Sequence, residues 1–294
     1  MTSSNIFTNL GKNIILDRTW NASPTRTAAS RGKIGIGTTS AVASDTDLEH
    51  PIPWSGTEEI DDCETADWSD SADMTTSLNS TTYKVGTNSL DLTKDGTGSA
   101  SAYTETNTTS LDFTSKEFSI WIYIKDSTKL GKLATSDCIK IWFGNDSSNY
   151  FEWAKDLADL EVGWNLIDGL TSANGTETGT VTLASCDYTR VIITADASST
   201  TWSAGDLAMD DIKLITSDDY YKDFEASYPI LDYNNNEVEI RLRASTTQAN
   251  GYPISEVGSF NTDSPALIES RMTFTAISKS PTEELIFTIK YNLI

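Results

Sequence analysis

The sequence predicts an all-β protein built around two cores, and three observations carry that reading. Its 294 residues exceed the usual size of one domain. Short apolar runs with period-two alternation recur along the chain. Ser, Thr, Asn, Asp and Gly crowd the gaps between those runs, which is the punctuation of strands joined by turns. A hydrophobic fraction of 38% supplies enough apolar material for a sizeable core and argues against general disorder.

In chain order, Ile6 to Leu16 reads as a short helix or an extended arm, followed by the glycine-punctuated run Gly32-Lys-Ile-Gly-Ile-Gly-Thr. Pro51-Ile-Pro53 removes backbone donors and regular pairing, which suits a junction between domains. Strands follow at Ser89–Leu92 and at Phe118–Ile124, where Phe118, Ile120, Ile122 and Ile124 form a core face and Trp121 and Tyr123 lie opposite. Cys138–Phe143 repeats the pattern, with Ile139, Ile141 and Phe143 on one face and Lys140 and Trp142 on the other. Tyr150–Leu160 reads as a helical turn or two, and Asn165–Asp168, Arg190–Thr194 and Leu207–Ile215 as further strands. Many short strands separated by turns favour a two-sheet antiparallel sandwich. Beyond residue 218 come strands at Glu237–Arg243, Ile254–Phe260, Arg271–Ile277 and Leu285–Leu293, the last aligning Leu285, Phe287, Ile289, Tyr291 and Leu293.

Charge narrows the partners. With 43 acidic and 21 basic residues the formal net charge is −22, which repels nucleic-acid backbones and anionic lipid headgroups. No run approaches the ~18–20 apolar residues that span a bilayer, and the start MTSSNIFTNLGKN has no basic-then-apolar secretory pattern. Cys63, Cys138 and Cys186 have neither metal-binding nor disulfide-framework spacing, so reduced, buried thiols are expected. A single histidine, His50, removes most zinc and Ser-His-Asp chemistry. Gly35-Ile-Gly37-Thr is not followed by Lys-Ser/Thr, so a tight turn with positive φ is expected there rather than a phosphate loop.

Two resemblances organise these pieces. Asn9-Leu-Gly-Lys-Asn-Ile-Ile-Leu-Asp-Arg, Lys33-Ile-Gly-Ile-Gly-Thr-Thr and Asp45-Thr-Asp-Leu at the start resemble one half of small tailed-phage structural proteins. Ile254-Ser-Glu-Val-Gly-Ser-Phe, Arg271-Met-Thr-Phe and Ser278-Lys-Ser-Pro-Thr-Glu-Glu-Leu-Ile-Phe-Thr-Ile at the end resemble the other. This implies a discontinuous, β-rich, virion-anchoring base domain, residues 1–54 and 218–294, with residues 55–217 inserted in one of its loops. The insert has its own likeness. Asp61-Asp-Cys-Glu-Thr-Ala-Asp-Trp, Tyr83-Lys-Val-Gly-Thr-Asn-Ser-Leu-Asp-Leu, Gly163-Trp-Asn-Leu and Met209-Asp-Asp-Ile-Lys-Leu, in that order, resemble the jelly-roll carbohydrate-binding modules and concanavalin-like lectin domains, with Cys63 where an aromatic residue is usual.

The second resemblance implies a structural Ca²⁺ between the first and last strands of the insert, held by Glu64, Asp210 and Asp211 with Asp62 nearby. In strict alternation Asp210 shares a face with Ile212 and Leu214 and turns inward. Trp121, Tyr123 and Trp142, bordered by Tyr150 and Trp153, form the expected glycan platform, because sugars lay their C–H faces on aromatic rings. Trp68 and Trp164 are expected in the core. Too many carboxylates are available to single out a glycosidase pair, and no catalytic residue is assigned. The reading is a non-enzymatic virion surface protein, present in several copies and contacting capsid, neck or tail proteins, that displays a lectin-like domain toward host glycans. A pure capsid-decoration protein, a tail glycan depolymerase and a secreted carbohydrate-binding protein are the alternatives.

Overall fold

The computed structural model describes residues 4–54 and 58–292. It is almost entirely antiparallel β-structure. The chain divides into two compact units, residues 57–216 and residues 1–56 together with 217–294. No helix among the described residues is long and apolar enough to cross a membrane.

Residues 58–216 form a two-sheet sandwich. One sheet, here called the Trp142 sheet, runs in the order Thr176–Thr178, Asn149–Lys155, Ile139–Asp146, Cys186–Thr194, Ser101–Leu111, Ser69–Asp70. The other, the Trp121 sheet, runs Gly163–Thr171, Lys116–Ile124, Leu207–Thr216, Ser89–Lys94, Met74–Asn79, and Glu58–Asp61 also pairs with Leu207–Thr216. Alternation explains the core between them: Phe118, Ile120, Ile122 and Ile124 from one sheet meet Ile139, Ile141, Phe143, Val191 and Ile193 from the other. Trp68 belongs to this core. Cys63, Cys138 and Cys186 are free and buried, and burial pushes the thiols of Cys138 and Cys186 up to about 11 and about 12.

The segment 150–160 departs from the helical expectation. Asn149–Lys155 is a strand hairpinned to Ile139–Asp146, and only Leu157–Asp159 forms a 3₁₀ turn. Its outward residues Tyr150 and Ala154 are themselves not polar, so apolar–polar alternation is confined to Phe151-Glu-Trp153, too short to mark a strand.

In the other unit, strands from both chain ends share one sheet. Ser4–Phe7 pairs with Ile268–Ser278, which pairs with Pro253–Phe260, and that strand pairs with Arg31–Gly35. Helix Asn9–Trp20 follows the first strand; Thr8 caps it by accepting from the Gly11 amide at 2.9 Å and donates to the Ile268 carbonyl at 2.6 Å. A second sheet, Ile230–Asp232, Glu237–Ala244 and Leu285–Asn292, buries Ile240, Leu242, Phe287, Ile289 and Tyr291. Leu293, expected in the last strand, lies outside the described residues.

This unit gives the end motifs a physical content. Glu256 is fully buried and accepts from the amides of Gly37, Glu49 and His50 at 3.1, 3.1 and 2.9 Å. Arg271, 3% exposed, donates to Glu256 at 2.9 Å and to Asp45 at 2.9 Å. A Cβ on Gly35 or Gly37 would lie 2.4 or 2.6 Å from the Glu256 carboxylate. Those glycines are therefore required by close approach and not, as expected, by a positive φ, which neither adopts. Pro51–Ile52 also keeps a short pairing with Ile34 and Gly35, since proline loses only its donor.

Candidate functional site

The expected aromatic platform divides between two opposite surfaces. Trp121 and Tyr123 do lie on the face of Lys116–Ile124 away from the core, and Trp142 and Tyr150 lie on the corresponding outer faces of their own strands. However, the two groups belong to different sheets of the sandwich, and outer faces of opposed sheets point apart. Trp121 is also covered: it is 3% exposed, with the Lys84 ammonium 4.2 Å from its ring centre. Tyr123 packs on half-buried Trp164, centroid to centroid 5.2 Å, so Trp164 is on this outer face and not in the core. Trp153 is a core residue, packed on Phe113, Phe118 and Phe151 and donating its indole N–H to Asn174 Oδ1 at 2.9 Å. Its strand position, odd with Phe151, turns it inward.

What remains is one ordered array on the outer face of the Trp142 sheet. Tyr150 stacks on Trp142 at 3.8 Å with 10° between ring planes. The Arg190 guanidinium lies 4.5 Å from the Trp142 ring centre and 4.0 Å from that of Tyr103. Trp142 lies directly opposite Arg190 in the antiparallel register, and Tyr150 and Tyr103, which pair with Gly144 and Ile192, reach them diagonally from the two flanking strands. Carboxylates fix the stack. Glu152 accepts from the Trp142 indole at 2.6 Å and from Lys140 at 3.0 Å. Glu105 accepts from Arg190 Nε at 2.7 Å and from the Tyr188 hydroxyl at 2.6 Å, and burial, with that bond, pushes the Tyr188 phenol well above its ordinary range. Tyr103, Glu105, Glu152, Tyr188 and Arg190 were not foreseen as site residues. Their signal was present, since each sits at an outward position of an alternating strand, but only the register shows that they adjoin Trp142.

The three acids expected to bind Ca²⁺ do different work. Among the described residues no group of three or more His, Cys, Asp or Glu side chains gathers to hold a metal ion. Glu64 accepts from the amides and side chains of Thr87 and Asn88; burial alone would raise its pKa, but these donors hold it down to about 2. Asp211 accepts from Lys213 at 2.5 Å. Asp210, fully buried, accepts from the amides of Lys84 and Val85 at 2.6 and 3.0 Å through one oxygen, while Oδ1 has no hydrogen-bond partner. Burial pushes its carboxyl up to about 7. It does not share the core face of Ile212 and Leu214. A bulge at Asp211, φ +51°, breaks the alternation, so that Met209 and Ile212 both enter the core and Asp210 faces outward opposite Trp121. Of the three, only Asp210 has a buried oxygen without a hydrogen-bond partner, and such an oxygen fits a hard cation.

No protein-family model and no curated protein matches this chain. Among solved structures, it is similar to the family 11 carbohydrate-binding module of a cellulosomal cellulase of Clostridium thermocellum, at 16% identity and a TM-score of 0.40, over 55% of this chain and 95% of that one. It is also similar to a CBM22-1 xylan-binding domain from Paenibacillus barcinonensis, at 10% identity and a TM-score of 0.31, over 54% of this chain and 90% of that one.

Proposed function

We propose that the 57–216 sandwich is a non-enzymatic glycan-binding module, that its ligand lies on the outer face of the Trp142 sheet, and that the chain is a virion surface component carrying it. The observation that supports the site is the Tyr150–Trp142–Arg190–Tyr103 stack. Its side chains are held by one another and by Glu105 and Glu152, so little rotamer entropy is lost when a ligand arrives. Phenol, guanidinium, ammonium and carboxylate groups alternate with ring carbons there, the mixture that hydroxyl-rich, C–H-faced sugars require. The cations are paired, Arg190 with Glu105 and Lys140 with Glu152, which suits an uncharged saccharide. The virion assignment rests on the resemblance of the chain ends, and labelling particles with antibody in micrographs tests it directly.

Trp142→Ala removes the centre of the stack. The expected result on a glycan array is loss of binding by about ten-fold or more, with the melting temperature of the sandwich little changed. If the parent chain binds no glycan on an array that includes host-surface polysaccharide, the decoration reading replaces this one.

Calcium is proposed on Asp210 alone. Because the folded carboxyl is raised to about 7, against ~3.9 in an unfolded chain, the folded state binds the proton more tightly. Its contribution is fully present below about pH 4 and is lost as pH rises through 7. In chelator, Asp210→Asn is expected to flatten that decline and to melt higher than the parent at pH 8. If a cation occupies the orphaned oxygen, millimolar calcium raises the parent's melting temperature at pH 8 and leaves the Asn variant unmoved. Identical parent curves with chelator and with calcium exclude the cation.

A further inference from the structure

The stack on the outer face of the Trp142 sheet offers a ligand ring edges more than ring faces. Tyr150 reaches Trp142 from one flanking strand and Arg190 from the other, 3.8 Å and 4.5 Å from its ring centre, so both faces of the indole are covered. Arg190 is in turn held between Trp142 and Tyr103. Choice among ligands therefore falls to the polar atoms around the stack, and most of these are engaged. Glu152 accepts through both oxygens, Oε1 from Lys140 and Oε2 from the Trp142 indole. Glu105 is lopsided. Arg190 Nε, Arg190 Nη2 and the Tyr188 hydroxyl all donate to its Oε2. Among the described residues nothing donates to Glu105 Oε1, and Arg190 Nη1 donates to nothing. The two side chains keep 27% and 13% of their surface exposed, so a ligand can reach them.

A ligand that covers this pair takes Glu105 Oε1 out of water, and a carboxylate oxygen covered without a donor is costly. A sugar hydroxyl meets the demand, since it donates to Glu105 while a neighbouring hydroxyl accepts from Arg190. A carboxylate or sulfate group on the sugar answers only the Arg190 half. It has no hydrogen to give Oε1, and it brings like charge against it. The phenols of Tyr103 and Tyr150 can donate or accept and so discriminate little. Lys140 and Arg190 would by themselves favour an anion, so the selection has to come from the acid.

We propose that Glu105 is the specificity-determining residue of this face, admitting neutral hydroxylated saccharides and excluding acidic ones through its Oε1. The assignment rests on the glycan reading of the site. Glu105→Gln tests it, because the surroundings dictate which way the amide points. Three donors converge on Oε2, so the amide oxygen stays there and the NH2 group takes the Oε1 position. An acceptor becomes a donor beside Arg190 Nη1, and the like charge is gone. The full chain and its variants are probed on an array of neutral polysaccharides, the same polysaccharides after partial sulfation, and uronic-acid polymers. The array is run in about 1 M salt, where a Debye length of about 3 Å screens the net charge of −22. The parent is expected to bind neutral forms at least about 30-fold more tightly than sulfated ones. In Glu105→Gln that ratio is expected to fall at least about ten-fold, with new binding to uronic-acid polymers. Glu152→Gln removes the same charge from the same face but no unengaged oxygen, and is expected to keep the parent's ratio whatever its affinity. A parent that binds neutral and sulfated forms alike overturns the assignment, and that comparison needs no substitution. So does a folded Glu105→Gln protein that keeps the parent's ratio, or an equal shift in both Gln variants, since charge alone would then be the cause. A parent that binds no glycan overturns the glycan reading and this assignment with it.

Discussion

Arg271→Met is expected to destabilise the unit formed by the chain ends by about 3–5 kcal/mol, the penalty for leaving a buried charge without its partner. Glu256 would keep its three amide donors but lose its only close cation among the described residues, inside a site it occupies with no exposed surface. Arg271 also donates to the Thr39 carbonyl and pairs with Asp45 and Glu49, so one guanidinium ties the 37–50 segment at three further points. Urea unfolding gives the magnitude. Hydrogen exchange gives the mechanism, with amides 37, 49 and 50 losing protection first. Pairing the change with Glu256→Gln should recover much of the loss, because the uncompensated charge then disappears. A loss below ~1 kcal/mol for Arg271→Met would show that solvent reaches this pair.

Trp153→Ala is expected to cost the sandwich about 3–5 kcal/mol, as deletions of large aromatic residues from a core do. The ring is 6% exposed, stacks on Phe118 with 24° between planes, and meets Phe113 edge-on. Gly175 closes over it so tightly that a Cβ there would lie 2.8 Å from the indole nitrogen. The contrast with Trp142 is the useful measurement. Denaturant midpoints should fall sharply for Trp153→Ala and little for Trp142→Ala, while glycan binding at saturating fold responds to Trp142 alone. Equal midpoints for the two variants would mean that the outer stack is as much a part of the fold as the core is.

Most strands were legible because burial on one side writes a period of two into the residues. Phe118–Ile124 and Ile139–Phe143 show it clearly, and their inward and outward sets fall as the alternation requires. Periodicity, however, reports which side of its own strand a residue occupies and nothing about which sheet that strand joins. Trp121 and Trp142 carry the same signature yet belong to opposite sheets, which is why the platform expected from them divides. The bulge at Asp211 was invisible for a related reason. One inserted residue shifts every later side chain to the other face, and Asp-Asp-Ile-Lys-Leu reads as a regular strand whether or not the shift occurs. Glu256 and Arg271 stood out only as parts of recurring strings. Their pairing across neighbouring strands turns those strings into a buried ion pair that the sequence spacing does not disclose.

The way the sandwich begins and finishes has an evolutionary consequence. Its opening strand, Glu58–Asp61, pairs directly with its closing strand, Leu207–Thr216, with Glu58 opposite Leu214. The polypeptide therefore leaves and returns at neighbouring positions, about 5 Å apart in a sheet. On the other side of the junction the Trp54 amide donates to the Asp219 carbonyl at 2.8 Å, so the surrounding unit has its own stitch across the same gap. Neither set of hydrogen bonds refers to what lies between. A lineage can then exchange one module for another by recombination near residues 55 and 217, altering the surface the chain presents while the scaffold that carries it goes on folding unchanged.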